Sequence, residues 1–312
     1  MKLDLSNTLQ HEKKHLLSKR YAMIPITLAV CLLWGSAFTM IVVGYDVLNV
    51  NTNDVFQVML FAGMRFFIAS LMIFTYAFTF KKDLRLSWRG FRKILLLGLL
   101  QTFGQYIFMF LSLRYLHPAN NAVLGTLGVF LTVIFAHFYF RKSEKLSRNK
   151  VIGLLLGMTG IIVLNGFALG TISFLGEGFK VIASTLSAIS GIYVKKLTRE
   201  FSPVVISSYQ LLFGSSLLMA IGATFASDIN FTVTSTSVTA LLYLGFISAA
   251  GFTIWSTLLK HNHISKISIY KFSIPVFGVL IAFIFLGESF NVISVLISLA
   301  FVASGIILIN LE

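Results

Sequence analysis

"FSIPVFGVLIAFIFLGESF" (272–290) is an apolar run with a proline near its start and Gly-Glu near its end. Upstream, "GTLGVFLTVIFAHFYFRKSE" (125–144) has similar length and aromatic texture, but its apolar part runs into Arg-Lys. Two such segments with opposite charge at the same end call for a bilayer. Stretches of about 20 apolar residues match the hydrocarbon thickness of a membrane. The chain is rich in them: 57% of its 312 residues are hydrophobic, 12% are charged, and the mean hydropathy is +0.88. A soluble domain has no way to hide that much apolar surface.

Runs long enough to span fall at about 21–44, 56–80, 93–114, 119–140, 150–168, 179–196, 203–226, 238–259, 267–287 and 291–311. Lone strands leave their backbone groups unsatisfied in lipid, and the signal is far stronger than that of a barrel. The expected fold is therefore an all-α integral membrane protein with ten transmembrane helices. The first run follows a basic, polar stretch (1–20) and is too long for the apolar core of a signal peptide, so it is expected as an uncleaved helix.

Lysine and arginine set the orientation. Of the 25 in the chain, 22 fall in segments on one side: five in 1–20, six in 81–93, five in 141–150, three in 195–199 and three in 260–271. Only Arg65, Arg114 and Lys180 remain, whereas Asp46, Asp54, Glu177, Asp228 and Glu288 fall in the opposite segments. Both termini are thus expected in the cytoplasm. The net charge of +14 is explained by this topology, with no basic soluble domain for nucleic acid.

The chain also repeats. "LGLLQTFGQY" (97–106) lies over "LGFISAAGFT" (244–253), so that Leu97, Gly98 and Gly104 match Leu244, Gly245 and Gly251 at an offset of 147. The same offset carries Gly128 onto Pro275, Phe130 onto Phe277 and Arg141 onto Glu288, while "GIIVLN" (160–165) lies over "GIILIN" (305–310) at an offset of 145. The expected organisation is a basic N-terminus (1–20), a first five-helix repeat (21–168), a connection (169–178) and a second five-helix repeat (179–312). An odd number of helices per half inverts the second half. The fourth helix then ends inside with Arg141 and Lys142, and the ninth ends outside with Gly287-Glu288. Inverted repeats around a midplane site are a recurring transporter plan.

Several stretches resemble the drug/metabolite transporter superfamily, in its EamA-type members with ten helices. They are "LLWGSAF" (32–38), "MRFFIASLM" (64–72), "LRYLHPANNAVLG" (113–125), "YLGFISAAGFTIW" (243–255), "IPVFGVLIAFIFLGES" (274–289) and "ASGIILIN" (303–310). The resemblance covers nearly everything after the N-terminus. It implies a secondary carrier in the plasma membrane that exports or exchanges small organic metabolites, often amino acids, without a cofactor. A drug, phosphorylated-metabolite or nucleoside carrier of the same fold is the alternative, and a non-transporting scaffold a further one. The fourth helix departs from the family pattern, with Gly128 at the usual proline and Arg141 at the usual acidic position.

Polar residues at mid-depth are the candidate substrate ligands. Arg65 lies roughly 16 Å into the second span by helical rise. A charge there costs on the order of 3 kcal/mol and faces a bundle interior or a wet cavity. A guanidinium at this depth reads as a bidentate partner for a carboxylate or phosphate, or as a structural group tied to carbonyls of a neighbouring helix. Gln101, Gln105 and Tyr106 share the third span, with the two amides one turn apart on one face. Ser248 and Thr253, with Trp255 beside them, occupy the equivalent depth of the eighth. Trp34, Tyr209 and Gln210 complete the expected set, with packing as the alternative for the aromatics. Lys271 is expected to snorkel to the inner interface, and His137 to be structural. Pro275 frees a carbonyl one turn earlier, as a hinge or a static kink.

Gly153 and Gly157 form a GxxxG, read as close packing within the half or in a homodimer. Single Cys31 excludes a disulfide. There is no GxSxG, HExxH or phosphate loop, and the six histidines are split between both sides, so neither a metal site nor an enzyme is expected. No acidic residue lies in the middle of a span, which removes the usual buried carboxylate relay.

Overall fold

The computed structural model describes residues 16–116, 118–165, 173–287 and 291–311. His11, His15, His117, Glu288, the lysines before residue 16 and the start of the 169–178 connection lie outside these residues. The helices among them are α1 (Arg20–Leu48), α2 (Val55–Thr79), α3 (Trp88–Leu113), α4 (Asn120–Tyr139), α5 (Arg148–Leu164), α6 (Phe174–Leu197), α7 (Pro203–Phe225), α8 (Ser235–His261), α9 (Ile264–Leu286) and α10 (Val292–Asn310). There is no strand among the described residues. All of these helices except α5 and α6, eight in number, are long and apolar enough to cross a membrane. Helix α6 starts at Phe174, ahead of the expected 179, so Lys180 lies a turn and a half into the helix, where it is buried.

Helix starts follow the polar residues just ahead of each apolar run. Side chains of Asp54, Ser87, Ser147, Ser173, Ser202, Thr234 and Asn291 accept from backbone N–H groups of the first turns of α2, α3, α5, α6, α7, α8 and α10. Each such cap supplies about 1 kcal/mol by satisfying an orphan donor. Burial works against the charged form of Asp54, but hydrogen bonds from Ser227 and the Phe56 N–H outweigh it and hold the carboxyl below its ordinary value.

Helix α9 has no side-chain cap of its own. Its first N–H groups, of Ile264 and Ser265, donate to the two carboxylate oxygens of Glu144, 3.0 and 2.9 Å away, from the connection between α4 and α5. Lys195 at the end of α6 lies 3.9 Å from the same carboxylate. An anion at a helix N-terminus meets both orphan donors and the helix dipole. A second tie, the ion pair Lys93–Glu200, joins the start of α3 to the α6–α7 connection.

Packing places α2 against α7 and α8, α1 against α8 and α9, α3 against α6 and α7, α4 against α6, and α5 against α10. Glycines permit the closest approaches. A Cβ on Gly153 would lie 2.9 Å from the Gly305 carbonyl of α10, and one on Gly305 would lie 2.7 Å from the Gly153 carbonyl. A Cβ on Gly157 would run into the Phe272 ring. The GxxxG of α5 thus packs on α10 and α9 of the same chain, neither within the first five helices nor at a chain–chain contact. Small residues of α6 serve α4: Ser184 donates to the Leu124 carbonyl at 3.3 Å.

Candidate functional site

The helices enclose a cavity of about 360 Å³ whose wall is built from α1, α2, α3, α4, α6, α8 and α9. Arg65, Gln101, Gln105, Tyr106, Trp34 and Trp255 all line it. Four rings of the wall, Trp255, Trp34, Phe252 and Tyr106, form one chain through the buried Phe66 behind them. Trp255 tilts against Trp34 at 5.2 Å, Trp34 meets Phe252 at 6.1 Å, Phe252 meets Phe66 at 6.1 Å, and Phe66 meets Tyr106 edge-on at 4.6 Å. Gly251 makes room for this arrangement, since a Cβ there would fall 2.5 Å from the Trp34 indole nitrogen.

Arg65 is buried, with 8% of its surface exposed. Its Nε donates to Ser248 Oγ at 3.1 Å, and Ser248 donates in turn to the Leu244 carbonyl at 2.9 Å. The guanidinium carbon lies 4.5 Å from the centre of the Phe66 ring. Ser248 therefore aims Arg65 from behind rather than lining the cavity itself. Among the described residues Arg65 forms no ion pair.

Gln101 sits in a π-helical stretch, Gly98–Gly104, in the middle of α3. The extra residue per turn rotates the helix at that point, yet Gln101 and Gln105 both still reach the cavity. π-Bulges of this kind are frequent at functional sites, because they re-aim side chains inside a continuous helix.

Besides Ser248, three further candidates from the sequence fall outside the wall, and each has a local reason. Tyr209 donates its hydroxyl to the Leu84 carbonyl at 3.3 Å and packs edge-on against Phe74. Gln210 accepts from Thr102 Oγ1 at 2.6 Å, joining α7 to α3. The Thr253 hydroxyl is buried without a protein partner, off the cavity. Pro275 also lies off the wall. Just before it the start of α9 tightens into a 3₁₀ turn over Ile269–Phe272, where the backbone loses the donor a proline cannot supply. His137 accepts from the Leu146 N–H at 3.1 Å, a structural contact.

Two cations belong to the site that depth counting did not place there. Lys271 lines the cavity, with Nζ 4.7 Å from the Trp255 ring centre and 5.9 Å from that of Trp34. It turns inward onto two indoles rather than toward the inner interface. Lys180 lines a side chamber of about 90 Å³ that shares Gln105, Met109, Gly125 and Ser187 with the main cavity. The sequence held only a partial signal for Lys271, in Trp34 and Trp255 as cation–π partners whose position relative to it the sequence does not give. Lys180 had no such signal.

Chemically, the arrangement offers cationic and amide donors on an aromatic, desolvated wall. It contains no nucleophile–base pair, and no group of three or more metal-ligating side chains occurs among the described residues. Such a space is suited by shape and chemistry to a small polar molecule.

Comparison with known proteins accords with this. A "Probable amino-acid metabolite efflux pump" of Salmonella typhimurium is 28% identical over 276 residues, covering 85% of this chain and 87% of its own. "Uncharacterized transporter YoaV" of Bacillus subtilis is 23% identical over 285 residues, covering 89% and 93%. A crystal structure 18% identical in sequence superposes with a TM-score of 0.78 over 92% of this chain and 97% of that one, which establishes the shared fold. The names of these relatives indicate a transporter rather than an enzyme. The EamA-like transporter family model matches residues 22–166 and again 174–311. With nearly the whole chain so matched, this multi-pass membrane protein belongs to the EamA-like transporter family.

Proposed function

We propose that the chain is a secondary carrier of small organic metabolites, amino acids or related compounds, working by alternating access between two inverted five-helix halves, α1–α5 and α6–α10. The observation that carries this is a single cavity walled by both halves, with Arg65 aimed into it by Ser248 of the opposite half.

Three things support the halves. The family model matches the chain twice, once per half. The packing list is unchanged when each helix is exchanged for the one five places away: α1–α9 becomes α6–α4, α1–α8 becomes α6–α3, and α2–α8 becomes α7–α3, while α2–α7 and α5–α10 map onto themselves. Ten crossings complete the plan: the 17 residues of α5 span about 26 Å at helical rise, close to a hydrocarbon core. Helix α6 crosses despite its polar residues, because its serines and Lys180 face protein or cavity. In this reading both termini are cytoplasmic, the home is the plasma membrane, and the 3₁₀ turn before Pro275 is where α9 flexes. The amino-acid class is carried over from the printed function of the Salmonella relative.

The test is protein-dependent flux of a broad metabolite panel across proteoliposomes, read by mass spectrometry against protein-free vesicles. Movement of unmodified metabolites supports a carrier. Chemically altered products point to an enzyme, and no movement of any compound by correctly inserted protein removes the carrier reading.

A further inference from the structure

We infer that the cargo is a net organic anion, with more negative than positive charge, and that a zwitterionic amino acid is the poorer ligand. The inference rests on the carrier reading and sharpens its substrate class.

The reason is the charge inventory of the site. Arg65 and Lys271 line the main cavity, and Lys180 lines the side chamber that shares four wall residues with it. Among the described residues, no aspartate or glutamate lines either space. The three ion pairs among the described residues involve Lys93, Lys195 and His263, none of them in the wall. Asp46 on α1 and Glu177 on α6 are not part of either wall. A cavity in low dielectric with an excess of positive charge leaves that charge to be met by the ligand.

The ammonium of an amino acid would find no carboxylate here. Its other usual seat is an aromatic face. The two indoles of the wall, Trp34 and Trp255, which are the strongest such seats, already hold the Lys271 ammonium, leaving only the weaker phenyl and phenol faces beside an excess of positive charge. What remains for the ligand is donor-rich: the guanidinium of Arg65, two lysine ammonium groups, and the amide N–H groups of Gln101 and Gln105. Arg65 is reached through α2 and Lys271 through α9, so two acidic groups on one molecule would each meet a different cation.

A series with one five-carbon skeleton and graded charge tests this: glutarate, glutamate and 5-aminopentanoate, which carry two, one and zero net negative charges. Each is followed in proteoliposomes with the membrane potential clamped at zero by valinomycin and equal potassium. The expected order is glutarate, glutamate, 5-aminopentanoate, with the ends at least about tenfold apart, because an unpaired ligand charge is discriminated strongly in a desolvated site. Lys271→Gln should lower glutarate flux by a larger factor than 5-aminopentanoate flux, so that the ratio of the two falls. Lys271→Arg should retain the anion preference, which separates lost charge from lost folding. Equal or faster movement of 5-aminopentanoate overturns the inference and leaves the carrier reading standing. Failure of the whole wider panel removes the carrier reading and this inference with it.

Discussion

At the scale of the residue, the geometry around Arg65 separates two roles that a single substitution would merge. The guanidinium carries the charge, whereas Ser248 fixes its direction through one hydrogen bond of 3.1 Å. If the carrier reading holds, Arg65→Gln should lower flux at least about a hundredfold with expression unchanged, since a charge-assisted contact to ligand is lost together with its aim. Ser248→Ala removes only the aiming bond, worth about 1.5–3 kcal/mol for a charged donor, so a loss of roughly ten- to a hundredfold is expected. Initial rates in proteoliposomes read both, and equal, negligible effects would make Arg65 a purely structural group. Arg65 and the two glutamines were legible in the sequence because a charge or amide at mid-span is costly unless it faces a cavity. Tyr209 and Gln210 sit at a similar depth but not in the wall. Helix α7 is apolar almost all round, so its periodicity marks no face. Lys271 was misplaced because its few residues from the helix start fit snorkelling as well as they fit a cavity; only the position of the two indoles decides.

At the scale of the element, the helix starts were readable, and the interruptions were not. A serine, threonine, aspartate or asparagine before an apolar run is a local signal with a local cause. The π-helical stretch of α3 and the 3₁₀ turn of α9 depend on what packs outside them. In α3 the widened turn coincides with close approach to α7, where a Cβ on Gly98 would lie 2.9 Å from the Gln210 carbonyl. Glycine spacing in α5 likewise announced a close contact without naming the partner. That partner is α10, and it makes a sharp stability prediction. Gly153→Val should lower the thermal midpoint in detergent by the equivalent of about 1–3 kcal/mol, because the new side chain meets the Gly305 carbonyl and Ile309 in a packed interface. Gly178→Val on the exposed side of α6, where nothing lies within 4 Å, is the matched control and should cost only the small propensity difference. Equal midpoints for the two variants would mean that α5 and α10 are not closely packed in the membrane.

At the scale of the whole molecule, the membrane class was legible from hydropathy alone, and the expected orientation rests on a sum over many weak signals. Twenty-two of 25 basic residues fall in the segments expected on one side, so the sum tolerates a single misread lysine such as Lys271, which turns into the cavity. The same sum is what an inverted repeat requires, because equivalent connections of the two halves must differ in charge when they end on opposite sides. The α2–α3 connection holds Lys81, Lys82 and Arg85 around Asp83. At the offset of 147, Asp83 falls on Asn230 in the α7–α8 connection, which has Asp228 and no basic residue. Both positions are exposed, so each can carry a reporter. With Cys31, which is buried, replaced by alanine, Asp83→Cys and Asn230→Cys are expected to react with a membrane-impermeant maleimide on opposite sides. Asn230→Cys should label in intact cells, and Asp83→Cys only after permeabilisation. The reverse pattern would turn the molecule over while keeping the inversion. Labelling of both from the same side would remove the inversion itself, and with it the alternating-access mechanism that depends on two halves facing opposite ways.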